Sequence, residues 1–211
     1  MYKLRELERK DLLVINSWRN NHELIEQLEV PFRYINLEVD QKWFDSYMNS
    51  RSNQVRCAIV EDNEDIILGM VSLVSINQFN QSAEFHIMIG NENNQGKGIG
   101  TFAVKEMPNH AFYNMNLNRI ELTVLESNKR AIRLYEKNGF VYEGCKRKTR
   151  FKEGKFVDML MYSILKEEYP RVCILIIVPF FQVFFLSFFC LYLPQVCLLG
   201  VFAVSKGFFV F

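Results

Sequence analysis

Between Ala83 and Asn114 the chain passes from a strand-like stretch through a glycine-rich loop into a helical pattern, and this order constrains the fold more than any other feature. Ala83-Glu84-Phe85-His86-Ile87-Met88-Ile89 alternates in the way of a half-buried strand, and Thr101 to Asn114 carries apolar residues at helical spacing. Between them, Gln95-Gly96-Lys97-Gly98-Ile99-Gly100 places three glycines on alternate positions, so the loop offers bare backbone. Successive N–H groups at a helix N-terminus, with the positive end of its dipole behind them, make a site for a pyrophosphate. Two familiar phosphate loops do not fit. A Walker A loop needs a glycine four residues before Gly-Lys and a hydroxyl after it, but Asn91 and Gly98 stand at those places. A dinucleotide fingerprint begun at Gly96 requires a third glycine where Thr101 stands.

A second block follows about thirty residues later. Arg119 to Val124 alternates like a strand, Glu126-Ser127-Asn128 supplies capping residues, and Ala131, Ile132, Leu134 and Tyr135 fall on one face of a helix that Asn138-Gly139 closes. Phe140-Val141-Tyr142 then opens another strand. The first block, Gln-x-x-Gly-x-Gly, resembles the acetyl-coenzyme A loop of the GNAT N-acetyltransferase superfamily. The second, Asn128-x-x-Ala131-x-x-Leu134-Tyr135-Glu136-Lys137-x-Gly139-Phe140, resembles that superfamily's next motif at nearly every position. The resemblance implies an α/β domain with a mixed central sheet, splayed central strands and flanking helices. Acetyl-CoA is the implied co-substrate, its pyrophosphate held by Gln95, Gly96, Lys97, Gly98, Ile99, Gly100 and Thr101. Its pantetheine arm would lie between the strands Glu84–Ile89 and Arg119–Val124, near Ile87, Met88 and Ile89, with Asn128 hydrogen-bonded to the arm and Tyr135 near the sulfur.

The implied chemistry assigns work to particular groups. A thiolate must leave when an amine attacks a thioester, and a phenol such as that of Tyr135 can protonate it. The attacking nitrogen must be neutral, so a base is needed. Glu84 and His86 lie two apart on the same strand and share a face. The resemblance favours Glu84; His86 is the rival because imidazole ordinarily titrates closer to neutrality. Backbone N–H groups from Ile87 to Ile89 would stabilise the oxyanion. No metal is required. Five cysteines, Cys57, Cys145, Cys173, Cys190 and Cys197, form no Cys-x-x-Cys pair and suggest neither a zinc site, a disulfide framework nor a nucleophile, so direct transfer in a ternary complex is expected.

Residues 1–169 read as one domain. A first strand spans Lys3 to Leu7, helices run from about Glu8 to Trp18 and from Glu38 to Met48, and strands run over Arg56–Val60, Ile66–Ser75 and Glu84–Ile89. A closing hairpin of Arg147–Phe151 and Phe156–Leu165 turns at Glu153-Gly154-Lys155. Pro108 within the loop helix predicts a kink between Val104 and Pro108. The remainder, 170–211, is an apolar extension. Val172 to Leu193 is long enough to cross a bilayer, which takes about 20 apolar residues, and Arg171 beside Lys166 suits a cytoplasmic flank. The abrupt change after Tyr169-Pro170, two prolines and an excess of phenylalanine favour instead an extension that is no selected element.

Lys206 is the only charge after Arg171, so residues 1–171 hold 24 basic and 24 acidic side chains. Such balance shows no basic stripe for nucleic acid. The charged stretch Met1 to Trp18 does not read as a signal, and a cytoplasmic location is expected, with membrane attachment only if 172–211 is a real anchor. The acceptor expected from the resemblance is a small-molecule primary amine. Ile76-Asn77, Ala83-Glu84-Phe85 and Tyr142-Glu143-Gly144 resemble bacterial polyamine acetyltransferases and ribosomal-protein N-terminal acetyltransferases, whereas Trp18-Arg19-Asn20 resembles enzymes acting on amino sugars. Glu23, Glu26 and Glu29 read either as a lure for a polycation or as a solvated helix face. A protein N-terminal acceptor and a non-catalytic acetyl-CoA-binding module are the alternatives, and the sequence neither requires nor excludes a homo-oligomer.

Overall fold

The computed structural model describes residues 1–63, 65–94 and 96–169. The apolar extension, with the membrane-anchor reading placed on it, lies outside the described residues, as does Gln95. Among the described residues no helix is long and apolar enough to cross a membrane.

Seven strands form one sheet in the order β1-β2-β3-β4-β5-β7-β6. They are β1 (Tyr2–Glu6), β2 (Val55–Glu61), β3 (Ile67–Asn77), β4 (Ser82–Ile89), β5 (Arg119–Leu125), β6 (Val141–Lys152) and β7 (Lys155–Leu165). Every pairing is antiparallel except that of β4 with β5. The parallel pair needs a crossover, supplied by the glycine loop and the helix α4 (Ile99–Tyr113). The two strands match only at Ser82↔Arg119, Ala83↔Ile120 and Glu84↔Glu121. Past Glu84 they part, leaving a wedge open in the middle of the sheet.

Both faces of the sheet are covered, because its strands alternate two apolar sets. Ile59, Val71, Leu73 and Phe85 pack with Ala103, Val104, Met107 and Phe112 of α4 and with Ile132 and Tyr135 of α5 (Lys129–Lys137). The opposite set, including Ala58, Val60 and Met88, packs on α1 (Leu12–Arg19), on Leu24 of α2 (His22–Glu26), and on Phe44 and Tyr47 of α3 (Leu37–Asn49). α4 runs unbroken through the buried Pro108. Side-chain amides cap three helices: Asn21, Asn36 and Asn128 accept from Leu24, Val39 and Ala131 N–H groups.

Two elements differ from the sequence expectation. The short α2 was not anticipated and ends at Glu26, so Glu29 is not on a helix face. The segments read as a strand opening at Val141 and a hairpin arm from Arg147 are one twelve-residue strand, β6. Its register against β7 slips between Tyr142 and Gly144 and again between Lys146 and Arg150. Such bulges break the two-residue alternation that marks a strand in sequence. The hairpin closes with Glu153 and Gly154 both at positive φ, 45° and 78°, the twist a two-residue turn needs.

Candidate active site

The wedge and the face carrying α1 to α3 meet in a cleft of about 690 Å3, lined by residues of both halves of the sheet, including His86, Ile87, Thr123 and Tyr135. A second, wider depression of about 910 Å3 lies between α5 and the β6–β7 hairpin. It holds neither Tyr135 nor the β4 residues, so the smaller cleft is where the chemistry described below is concentrated.

The glycine loop sits at one end of the wedge. Gly96 and Gly98 have φ of 81° and 86°, and a Cβ built on either meets nothing within 4 Å. Their glycine identity therefore answers to backbone conformation, with open space above the loop. Gly98 caps α4, and the N–H groups of its first turn have no intrahelical acceptor. Gly100 is set by packing instead, since a Cβ there would stand 3.1 Å from Leu134 of α5. Tyr2 of β1 props the loop by donating to the Lys97 carbonyl at 3.2 Å. Thr101 lies in the first turn of the helix. At the loop's start, a Cβ on Gly90 would fall 1.8 Å from the Trp18 indole, a steric role the sequence did not disclose.

Along β4 the pleat divides the backbone donors. Gly90 N–H bonds to Leu68 O on β3, and alternation along the Met70↔Met88 and Ser72↔His86 pairs keeps the Met88 and His86 donors on that side. The donors of Ile87 and Ile89 then point to the side where β5 has peeled away. Of the three residues expected near the thioester, two thus offer N–H groups to the wedge. Met88 contributes its side chain to the core under α1 and α3.

Tyr135 stands at the mouth of the wedge, packed edge-on against Phe85 and beside Phe140, with ring centroids 6.4 and 5.8 Å away. Its hydroxyl has no hydrogen-bond partner among the described residues. Burial first, and then the charge of Glu29, raise its pKa well above the ordinary phenol value, so the proton stays on the oxygen at neutral pH. Asn128 caps α5 through its carbonyl and spends one amide proton on Gln27 O at 3.0 Å, which leaves one amide proton for a ligand.

Glu84 and His86 share a face as expected, with His86 Nε2 3.4 Å from Glu84 Oε1. That contact lacks hydrogen-bond geometry, and Nε2 is buried with no partner. The other ring nitrogen lies 3.5 Å from Glu29 Oε1. Ligand atoms of Glu29, Glu84 and His86 all fall within 4.8 Å of one another. Sequence reasoning left Glu29 as a lure or a solvated face; the structure turns it inward. Thr123 donates to it at 2.8 Å and Arg150 approaches to 3.4 Å. The segment bearing it is strapped down by buried Lys152, which donates to Ile25 O at 2.8 Å and Val30 O at 2.6 Å. These partners lie 94 to 127 residues apart, so no local pattern announces them. The two cysteines among the described residues stay outside this constellation. Burial pushes the Cys57 thiol up to about 11, which keeps it protonated and a poor nucleophile, and Cys145 is exposed on β6.

The architecture, a parallel pair that splays over a cleft and a glycine-turned loop opening a helix, has counterparts among known proteins. Residues 2–141 match the family model of the acetyltransferase (GNAT) domain. A spermidine N(1)-acetyltransferase of Vibrio cholerae serotype O1 is 34% identical over 167 residues, covering 79% of this chain and 94% of that protein. The Escherichia coli K12 spermidine N(1)-acetyltransferase is 32% identical over 169 residues, covering 79% and 87%. The crystal structure of the Vibrio cholerae spermidine N-acetyltransferase in complex with CoA and spermine superposes with a TM-score of 0.75 at 30% identity, covering 80% of this chain and 97% of that one. Fold and kinship agree: the chain belongs to the GNAT acetyltransferase family and is an acetyl-CoA-dependent N-acetyltransferase.

Proposed function

We propose that the enzyme moves the acetyl group directly from acetyl-CoA to a small primary amine in a ternary complex, with Tyr135 as the acid. The carrying observation is the Tyr135 hydroxyl, held protonated and without a partner among the described residues, in the same cleft as Glu29 and His86, with Glu84 against His86. The loop from Gly96 to Thr101 holds the pyrophosphate, and the open edge of β4 receives the pantetheine arm. Glu84, with His86 beside it, takes the proton of the incoming ammonium, and Glu29 adds negative charge that draws the cation in. Once neutral, the amine attacks the thioester carbonyl; Ile87 and Ile89 N–H groups stabilise the oxyanion. Collapse expels the thiolate, Tyr135 protonates it, and the proton shed by the acylated nitrogen restores the phenol.

The similar spermidine N(1)-acetyltransferases make polyamines the first acceptor class to assay, with amino sugars second. Thiol release is measured on spermidine, glucosamine and N-terminal peptides. Release with a small amine, with intersecting lines when both substrates are varied, is the expected result. Parallel lines or a trapped acetyl-enzyme would remove direct transfer. Acetyl-CoA binding without turnover on any amine would remove the assigned reaction.

A further inference from the structure

Two buried side-chain atoms among the described residues find no hydrogen-bond partner: Ser72 Oγ and His86 Nε2. They are cross-strand neighbours. Ser72 pairs with His86 across β3 and β4, and on its other side with Arg56 of β2, so Arg56, Ser72 and His86 form one row across the cleft floor on the face that carries α1 to α3. All three line the cleft. Ser72 is only 1% exposed, and a buried hydroxyl left unpaired is destabilising. Its neighbour Arg56 is half-buried, its guanidinium stacked over Trp43 at 5.0 Å and Tyr47 at 5.9 Å. Only Nε is spent, on Gln54 Oε1 at 2.9 Å. Among the described residues it has no carboxylate partner, whereas Arg19 of the same cleft is paired with Asp40.

The cleft is therefore bipolar. Glu29 and His86 line it together with Tyr135, Glu84 lying against His86, and a guanidinium with two free N–H arms stands one strand beyond Ser72. A linear polycation satisfies the first end and is repelled by the second. We infer that the acceptor is an amine that also carries an oxyanion, carboxylate or phosphate, seated on Arg56 and the Ser72 hydroxyl. This rests on the small-amine reading above and narrows it. Neighbouring strands lie about 4.8 Å apart, so the oxyanion sits roughly 5 Å from the amine, the span of about four bonds in an extended aliphatic chain.

The test compares amines matched in length. 4-Aminobutyrate and 1,4-diaminobutane differ only in the terminal charge, and glucosamine 6-phosphate against glucosamine asks the same of a phosphate. Wild-type kcat/KM is expected to favour the oxyanion member of at least one pair by about tenfold or more, and which pair does so distinguishes carboxylate from phosphate. Arg56→Met should abolish that preference, read as the ratio of kcat/KM values for the two members of the pair. Because Arg56 also packs on Trp43, Ser72→Ala is the second variant. It removes an unpaired buried hydroxyl, so it should leave thermal stability unchanged or raised and still lower the preference about threefold or more. Preference for the diamine or spermidine in the wild type, or a ratio unmoved by both variants, overturns the oxyanion subsite and leaves the transferase reading intact. No turnover on any amine overturns both.

Discussion

Tyr135 separates packing from chemistry at the cost of one oxygen. Its ring is fixed by Phe85 and Phe140, while its hydroxyl makes no bond within the described protein. Tyr135→Phe is therefore expected to keep the fold, with a melting temperature close to wild type, since no hydrogen bond is lost. Turnover should fall about 10²–10⁴-fold, the usual worth of a placed acid, with acetyl-CoA affinity nearly unchanged. A turnover within twofold of wild type would take the acid role from this residue. Gly98 makes the complementary case. Its φ of 86° costs an L-residue roughly 1–2 kcal/mol, so Gly98→Ala should lower stability by about that amount and weaken acetyl-CoA binding together, read by thermal melts and titration calorimetry. Both residues were legible in sequence, because a motif fixes each by its immediate neighbours. Ser72, Arg56 and Glu29 were not: their meaning lies in partners on other strands, and Glu29 gains its role only where Thr123 and Arg150 receive it.

Among elements, the strap from Ile25 to Val30 joins the acceptor side of the cleft to the acetyl-CoA side. Lys152 holds it by two carbonyls, Asn128 by a third, and Thr123 and Arg150 hold its Glu29. Arg150 and Lys152 share a face of β6 beyond its second register slip, so the irregular strand that the sequence split in two is what aims both side chains at the strap. Lys152→Met leaves the Val30 carbonyl without its donor, while Ile25 O keeps the Leu28 N–H, and should cost about 1–3 kcal/mol. Its distinguishing effect is kinetic: the acceptor KM rises several-fold while the KM for acetyl-CoA holds, because the strap presents Glu29 and not the pyrophosphate loop. Equal rises in both constants would mean that Lys152 supports the fold alone. Strands β2 to β5 and helices α3, α4 and α5 were readable from periodicity and caps to within two residues, whereas α1, read from about Glu8, begins at Leu12. The five-residue α2 was not, being too short to show a period.

For the whole molecule, the sheet is two ladders, β1 to β4 and β5 to β7-β6, joined by three residue pairs. The mixed sheet with splayed central strands followed from the family motifs; what locks each ladder at its outer end did not, since it is ionic and long-range. In the second ladder Arg119 donates to Glu143 at 2.7 Å, and Ser163 donates to the same carboxylate at 2.7 Å, tying β5, β6 and β7 together. Arg119 foremost, then Ser163, holds the Glu143 carboxyl down at about 2. In the first ladder Lys10 and then Arg5 hold Asp65 down at about 2. An unfolded carboxyl titrates near 4, so each group binds its proton more readily in the unfolded chain. Their stabilisation is complete above about pH 5 and is lost as pH falls through the folded values near 2. Melting temperature should accordingly decline from pH 5 toward pH 2.5, and Glu143→Gln should flatten that decline while lowering the plateau at pH 7. The Asp65 cluster is open to solvent, so about 1 M salt should erase its share first, the screening length then being about 3 Å. The variant Asp65→Asn isolates that share. A melting curve that shifts equally with pH in wild type and Glu143→Gln would show that the Arg119 lock is not what acid opens.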